Sequence, residues 1–379
     1  LTFTIIEPNA GAWDQFVSCH PHGNLLQTAP WGYLKATSGW QPRRLAVVKG
    51  EKGAADAAEG TAADAAEGTA ADTIVAGTQL LIRRRYGVSV VYVPRGPLFS
   101  GDADVDNLLF EAMVRVSKQQ WAVFLRVEPH VQEDDPHADS LHSWLLTKNV
   151  QCVDPIQPRS TIHVDLTPPL DEIFAHCSKG HRADIRRAER RGVAVRVGTL
   201  DDMQAFYDIL RFTGERASFG IHTQQYYHLA WGVFGGRSRL LLADDTTTGA
   251  VVAAHMVFRD GQASASGGRM GYYFYSGATN EGLKSGANHL LQWHALQWAK
   301  EQGCHRYDLW GIPDALGRAA AAPDEESRTA LEEAAQHDPL IGVYRFKKGF
   351  GGRIIRYLPA YDHVLIPPAY AWWRRRFAG

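Results

Sequence analysis

Apolar positions recur along the chain with strand and helix periods in turn. Strand-like runs fall at residues 44–48, 73–82 and 88–93, a helical period covers 105–119, and a further strand is predicted over 121–127. Beyond Pro155 and Pro158, alternation over 160–166 predicts a strand, and Pro168-Pro169 precedes a predicted helix around 170–176. The order then repeats. A helix over 178–191 stops at Gly192, followed by strand 193–197, helix 203–216 and strands 239–243, 250–259 and 262–268. A helix near 286–302 and a strand over 307–310 complete the series. Strands interleaved with helices predict a mixed α/β fold in two similar units.

Residues 53–72 break this pattern with an eight-residue repeat, GAADAAEGTAADAAEGTAAD, that holds no large apolar side chain. Such a segment cannot build a core, and strand-like runs flank it, so residues 51–73 are expected to form a solvated loop insertion. Residues 315–335, rich in Ala and Glu, are read as a second surface insertion, partly helical.

The 379 residues suit two domains, and with 45% apolar residues both can bury a core. Forty Lys and Arg against 41 Asp and Glu leave a net charge of −1, which excludes histone-like binding and confines any anion binding to local patches. Four cysteines lie far apart without a CxxC pair, as expected for reduced cytoplasmic thiols. No apolar run is long enough to span a bilayer, and residue 1 is Leu, so trimming of the native N-terminus is expected. GxSxG, Walker A and HExxH motifs are absent, Cys19-His20-Pro21-His22 has no second ligand cluster, and neither a metal nor a cofactor is expected.

Three constellations could carry chemistry. The helix holding Arg182, Arg186, Arg187, Arg190 and Arg191 sets like charges at i, i+4 spacing, which repel by about 0.3 kcal/mol per pair, so it is either a solvated basic face or a site for a phosphate-bearing ligand such as RNA. Tyr344-Arg345-Phe346-Lys347-Lys348-Gly349-Phe350-Gly351-Gly352-Arg353 interleaves basic and aromatic residues before glycines; a nucleotide-binding segment and a plain β-turn both fit it. Tyr272-Tyr273-Phe274-Tyr275 reads as a core strand, with alternation placing Tyr273 and Tyr275 on one face and Tyr272 and Phe274 on the other.

Together with Leu26-Gln27-Thr28-Ala29-Pro30-Trp31 and Lys35, Pro94-Arg95-Gly96-Pro97, Arg126-Val127-Glu128-Pro129, Gln157-Pro158-Arg159-Ser160-Thr161 and Tyr307-Asp308-Leu309-Trp310-Gly311-Ile312, these segments resemble the Fem-type aminoacyltransferases that build the peptidoglycan interpeptide bridge. The likeness runs over nearly the whole chain. It implies two tandem GNAT-like acyltransferase domains, 1–157 and 158–353, with residues 354–379 returning to the first. The 182–216 stretch leads to Arg239 without two heptad-bearing helices, so no long coiled-coil arm is expected.

The resemblance further implies an enzyme that takes an amino acid from aminoacyl-tRNA and joins it to the side-chain amine of the third stem-peptide residue of UDP-MurNAc-pentapeptide or lipid II; a monomer is expected. It gives Lys347 the developing oxyanion or leaving ribose oxygen, Phe346 the terminal adenosine, and Lys35 and Arg216 the precursor diphosphate. Tyr273 and Tyr275 are candidates for the same groove, and Arg182, Arg186, Arg190 and Lys348 for tRNA phosphates. After Arg95-Gly96-Pro97 the first acid is Asp102, later than in many relatives, so substrate positioning is expected to outweigh proton abstraction by a side chain.

Two other readings share these residues. An acyl-CoA-dependent N-acyltransferase would need a [QR]xxGx[GA] loop, where this chain has Asn280-Glu281-Gly282-Leu283-Lys284-Ser285-Gly286-Ala287. A non-catalytic tRNA- or precursor-binding scaffold is the third. At the end of the chain, Trp372-Trp373-Arg374-Arg375-Arg376 suggests a terminal helix packed by its tryptophans on the first domain, with peripheral contact at the inner membrane face as the competing expectation.

Overall fold

The alternating runs build two seven-stranded sheets in the computed structural model, which describes residues 2–50, 73–217, 219–261 and 268–377. The insertion read over 51–73 lies, apart from Thr73, outside the described residues, as does the strand read over 262–268 apart from Gly268. The chain divides into two units, one running to Arg159 and resuming at Tyr357, the other covering 160–356 around the undescribed segment.

In the first unit, strands β1 (Thr2–Ile6), β2 (Gln41–Gly50), β3 (Ile74–Arg85), β4 (Val88–Val93), β5 (Ala122–Val127), β6 (Val150–Val153) and a late strand, Ala360–Val364, form one sheet. The late strand lies between β5 and β6, and among the described residues only β4 and β5 pair in parallel. Tyr86 and Gly87 both take positive φ, the geometry that lets a two-residue turn follow the strand twist between β3 and β4. Helices α1 (Ala10–Cys19), α2 (Ala29–Ala36), α3 (Ala103–Gln119) and α4 (Ala138–Leu146) accompany the sheet. The apolar stripe Val105, Leu109, Ala112, Met113 and Val116 of α3 is buried in the core with β2, β3 and β5, at about 2 kcal/mol per large side chain. Asp102 caps α3, accepting from the N–H groups of Asp104 and Val105.

The family-like segments of this unit are tied to one another by buried polar bonds. Gln27 accepts from the Gln79 N–H and donates to the Pro94 carbonyl, both at 2.7 Å. Glu128 accepts from the Tyr92 hydroxyl at 2.7 Å and from the N–H of Ile156 at 2.5 Å, and Arg95 donates to the Pro158 carbonyl. Buried groups of this kind need partners, so these motifs hold the unit together.

The second sheet comprises β7 (Ser160–Asp165), β8 (Val193–Val197), β9 (Ser238–Asp245), β10 (Val251–Arg259), β11 (Arg269–Ala278), β12 (Cys304–Gly311) and β13 (Arg353–Arg356), in the order β13-β7-β12-β11-β10-β9-β8. Again, among the described residues a single pair, β11 and β12, is parallel. Around it lie α5 (Leu170–His176), α6 (Lys179–Arg190), α7 (Met203–Ala217), α8 (Gln224–Phe234), α9 (Asn280–Ser285), α10 (Ala287–Glu301), α11 (Asp314–Ala320), α12 (Glu325–Ala335) and α13 (Ile341–Lys348). Between β8 and β9 the helices α7 and α8 have 15 and 11 residues, so among the described residues there is no long helical arm.

Three sequence readings need correction. Strand β13 pairs with β7, so residues 354–356 belong to the second sheet and the chain returns to the first unit at Tyr357, where Ala360–Val364 becomes β14. Residues 315–335 are partly helical as read, with residues 320–334 exposed or half-exposed, but Leu316, Ala319 and Ala335 are buried and Asp314 accepts from Ser160 and Arg356, so the segment is anchored to the sheet. Residues 344–348 belong to a helix, so the interleaved basic and aromatic residues present two faces of α13 before the glycines.

The final helix, α14 (Pro367–Phe377), divides its tryptophans. Trp373 packs on Phe124 in a tilted pair with ring centres 4.7 Å apart and Tyr370 donates to Asp362, while Trp372 is 58% exposed beside exposed Arg374, Arg375 and Arg376. Among the described residues, no helix is long and apolar enough to cross a membrane.

Candidate functional site

Strands β11 and β12 pair only from Arg269–Tyr272 against residues 304–308 and then part. Tyr273 on β11 and Trp310 and Gly311 on β12 stand where they part. Trp310 holds a positive φ of 64°, sparsely populated for a side chain of that size, and its N–H donates to Asp308 at 2.7 Å.

Helix α13 brings Lys347 to this place. The spacing of Tyr344 and Lys347 puts both on the buried face, and the Lys347 Nζ donates to the Gly311 carbonyl at 2.7 Å. The amine also lies 5.9 Å from the Tyr273 ring centre. Burial pulls its pKa down to about 7, against a smaller opposing pull from Asp308. An amine poised near neutrality can serve as a cationic donor or release a proton. Phe346, half-buried, rests against His289 and Phe350, at 5.0 and 5.2 Å between ring centres. Lys348 is exposed, over the Tyr344 ring.

Tyr273 and Tyr275 do not share a face. Met256 pairs with Tyr275 and Val257 with Tyr273, which leaves Phe274 as an extra residue, a β-bulge. Gly271 accordingly faces Ala299 of α10, whereas Gly277 faces Ile209 and Thr213 of α7. Tyr273 packs against His255 at 5.0 Å on the Lys347 side, and His255 is within 2.9 Å of Asn288. Tyr275 packs against Tyr227 at 5.0 Å and Phe258 at 5.9 Å on the other side.

The basic helix α6 is less uniform than its sequence. Arg182 donates to the carbonyls of Ala175 and Cys177 at the end of α5, satisfying groups left open there. Arg187 pairs with Asp184 at 2.7 Å and Arg191 donates to the Lys284 carbonyl. Exposed Arg186 lies over the Phe174 ring, and Arg190 is exposed. Arg216 stands in the last turn of α7 and donates to the Ala278 carbonyl at 3.0 Å. In the first unit, Lys35 sits in the last turn of α2, its amine 4.5 Å from the Trp31 ring centre and its pKa lowered to about 8 by burial.

The turn where a CoA pyrophosphate loop would lie is closed on itself. Thr279 caps α9 and accepts the Gly282 N–H, and a side chain at Gly282 would meet the Val252 carbonyl at 2.2 Å. Cys304 is buried with its thiol pushed up to about 12, unsuited to nucleophilic attack. Sequence reasoning did not single out His181, His255 or Asn288, which touch the Lys347 surroundings from three separate elements and share no local signal; Gly311 stood within a family-like segment but without a role.

The FemAB family profile matches residues 9–144, 142–247 and 245–374. The chain belongs to the FemAB family. It is 23% identical over 424 aligned positions to the lipid II:glycine glycyltransferase of Staphylococcus saprophyticus, covering 95% of this chain and 92% of that protein. The crystal structure of FemX superposes with a TM-score of 0.76 at 19% identity, over 97% of this chain and 99% of that one. A tandem GNAT protein from the clavulanic acid biosynthesis pathway superposes at 0.53 with 12% identity, over 96% and 98% of the two chains. Membership of the FemAB family and the tandem GNAT-like fold thus agree with the parallel pair found in each sheet.

Proposed function

We propose that this FemAB protein is an aminoacyltransferase of peptidoglycan bridge synthesis, moving an amino acid from aminoacyl-tRNA to the side-chain amine of the third stem-peptide residue. The observation that carries the reading is a buried lysine of near-neutral pKa, Lys347, beside the parting of β11 and β12 in a chain whose relatives include lipid II:glycine glycyltransferases.

In this reading the acceptor amine attacks the ester carbonyl carbon of the donor and a tetrahedral oxyanion forms. The carbon–oxygen bond to ribose then breaks, and the ribose oxygen leaves with a proton while the amine gives one up. The Lys347 ammonium stabilises the oxyanion or the leaving ribose oxygen, a charge-assisted interaction strengthened by its dry surroundings. Phe346 packs near the terminal adenosine, Tyr273 lines the groove, and Arg216 is the cation of this unit suited to the precursor diphosphate, as Lys35 is in the first unit. Exposed Arg186, Arg190 and Lys348 meet tRNA phosphates. The protein works as a monomer without metal or cofactor.

The acceptor is lipid II or its soluble nucleotide-linked precursor. Exposed Trp372 beside Arg374, Arg375 and Arg376 suits contact with an anionic bilayer, which a lipid-linked acceptor would require. The deciding experiment supplies a labelled aminoacyl-tRNA pool with each acceptor in turn, comparing wild type with Lys347→Ala. Label reaching an acceptor with wild type alone is the expected result. Absence of transfer to both acceptors would sink the reading.

A further inference from the structure

The helix that carries Lys347 ends against the start of α6. Ser178 caps α6, and its Oγ accepts the His181 N–H at 3.2 Å and lies 3.0 Å from His181 Nδ1. The other ring nitrogen, Nε2, lies 2.7 Å from the Phe346 carbonyl oxygen. A carbonyl can only accept, so Nε2 carries a proton; burial lowers the ring's pKa and so favours the neutral form, in which Nδ1 accepts a hydrogen bond from the Ser178 hydroxyl. A second bond runs from the Ser178 N–H to the Gly349 carbonyl at 2.8 Å. Two carbonyls flanking Lys347, those of Phe346 in the last turn of α13 and of Gly349 just after it, are thereby held by His181 and Ser178 at the start of α6.

Gly349 reports the same arrangement independently. Its φ of −68° is ordinary for any residue, yet a Cβ there would stand 1.9–2.2 Å from three atoms of the His181 ring. The glycine is required by the imidazole and not by the backbone. The ring is enclosed further by His289 at 4.6 Å and Phe350 at 4.8 Å.

We propose that His181 is a positioning residue for aminoacyl transfer: its Nε2–H fixes the Phe346 carbonyl and with it the last turn of α13, which aims Lys347 at Gly311 and the reacting centre. The inference rests on the reading of Lys347 given above. The side chain touches no reacting atom; it acts through the backbone beside the lysine.

The test compares His181→Gln, whose amide can stand where Nε2 stands and donate to Phe346, with His181→Asn, which is too short to reach. The Asn variant is expected to lose about tenfold or more in kcat with KM for both substrates within about threefold, and Gln to restore kcat to within about threefold. Gly349→Ala, which expels the ring, is expected to match the Asn variant and to add nothing to it in the double variant. Full turnover by His181→Asn, or a Gln variant as slow as Asn though equally folded, would overturn the proposal. Titration of the Lys347 amine by ¹³C NMR reads the same positioning without turnover. It should move in His181→Asn and stay in His181→Gln, so an inactive wild type with this pattern refutes only the aminoacyl-transfer reading. An unmoved amine in the Asn variant refutes the role of His181.

Discussion

Lys347 donates its buried amine to the Gly311 carbonyl across 2.7 Å, joining the end of a helix to the end of a strand. Burial of this kind stabilises the neutral amine, and the effect on stability follows. The pKa is about 7 in the folded protein against 10.5 for the free side chain, so the unfolded chain binds more protons between those values. Stability contributed at this site therefore rises with pH from about 7 to about 10 and is lowest at and below 7. Lys347→Met is expected to raise stability by about 1–3 kcal/mol at pH 7, less than the full desolvation cost because Gly311 loses its donor. The gain should shrink toward pH 10. Urea unfolding across that range checks it, and a gain that grows with pH would contradict the assignment.

Asp102 is occupied as the cap of α3, accepting two backbone N–H groups of its first turn. Asp102→Ala should cost about 1 kcal/mol in stability and leave turnover of the folded enzyme unchanged. Loss of about 100-fold in kcat would instead mark it as a general base.

The bulge at Phe274 separates the effects of two tyrosines that are neighbours in sequence. Tyr273→Leu removes the ring beside Lys347 and should lower kcat about tenfold, whereas Tyr275→Leu disturbs packing with Tyr227 and should lower Tm with kcat within about threefold. Steady-state kinetics with a thermal melt for each variant distinguishes them. Equal kinetic losses would contradict a one-sided site.

Arginines of α6 should also divide. Arg182→Ala removes donors from the α5 carbonyls and is expected to cost about 1 kcal/mol in stability. Arg186→Ala with Arg190→Ala is expected to weaken tRNA binding and reduce its salt dependence by about one to two phosphate contacts, without a change in melting. Filter binding over a salt series reads this directly, and an unaltered slope would remove the helix from the tRNA surface.

Much of the architecture was legible in the chain. The period of apolar residues located α3 over 105–119 and β10 over 250–259 to within two residues, because those elements bury one regular face. Short edge strands such as β13 and β6 went unread, since four residues carry too little pattern. The aromatic-rich α8 was missed as well, its Tyr226, Tyr227 and Phe234 being as suited to a strand as to the helix they form.

The site divides in the same way. The order of residues alone places a lysine after a phenylalanine in a basic, aromatic segment ending in glycine, and its two runs of strand and helix periods place that segment in one of two α/β units. Tertiary structure alone decided that this lysine is buried with a pKa near 7, that one extra residue at Phe274 sends Tyr273 and Tyr275 to opposite faces, and that Arg182 is spent on carbonyls. Local pattern fixes which face of an element is apolar. Burial, pairing and register depend on contacts between residues far apart in the chain, such as Lys347 with Gly311 and His181 with Phe346, and those exist only once the sheet and its helices have packed.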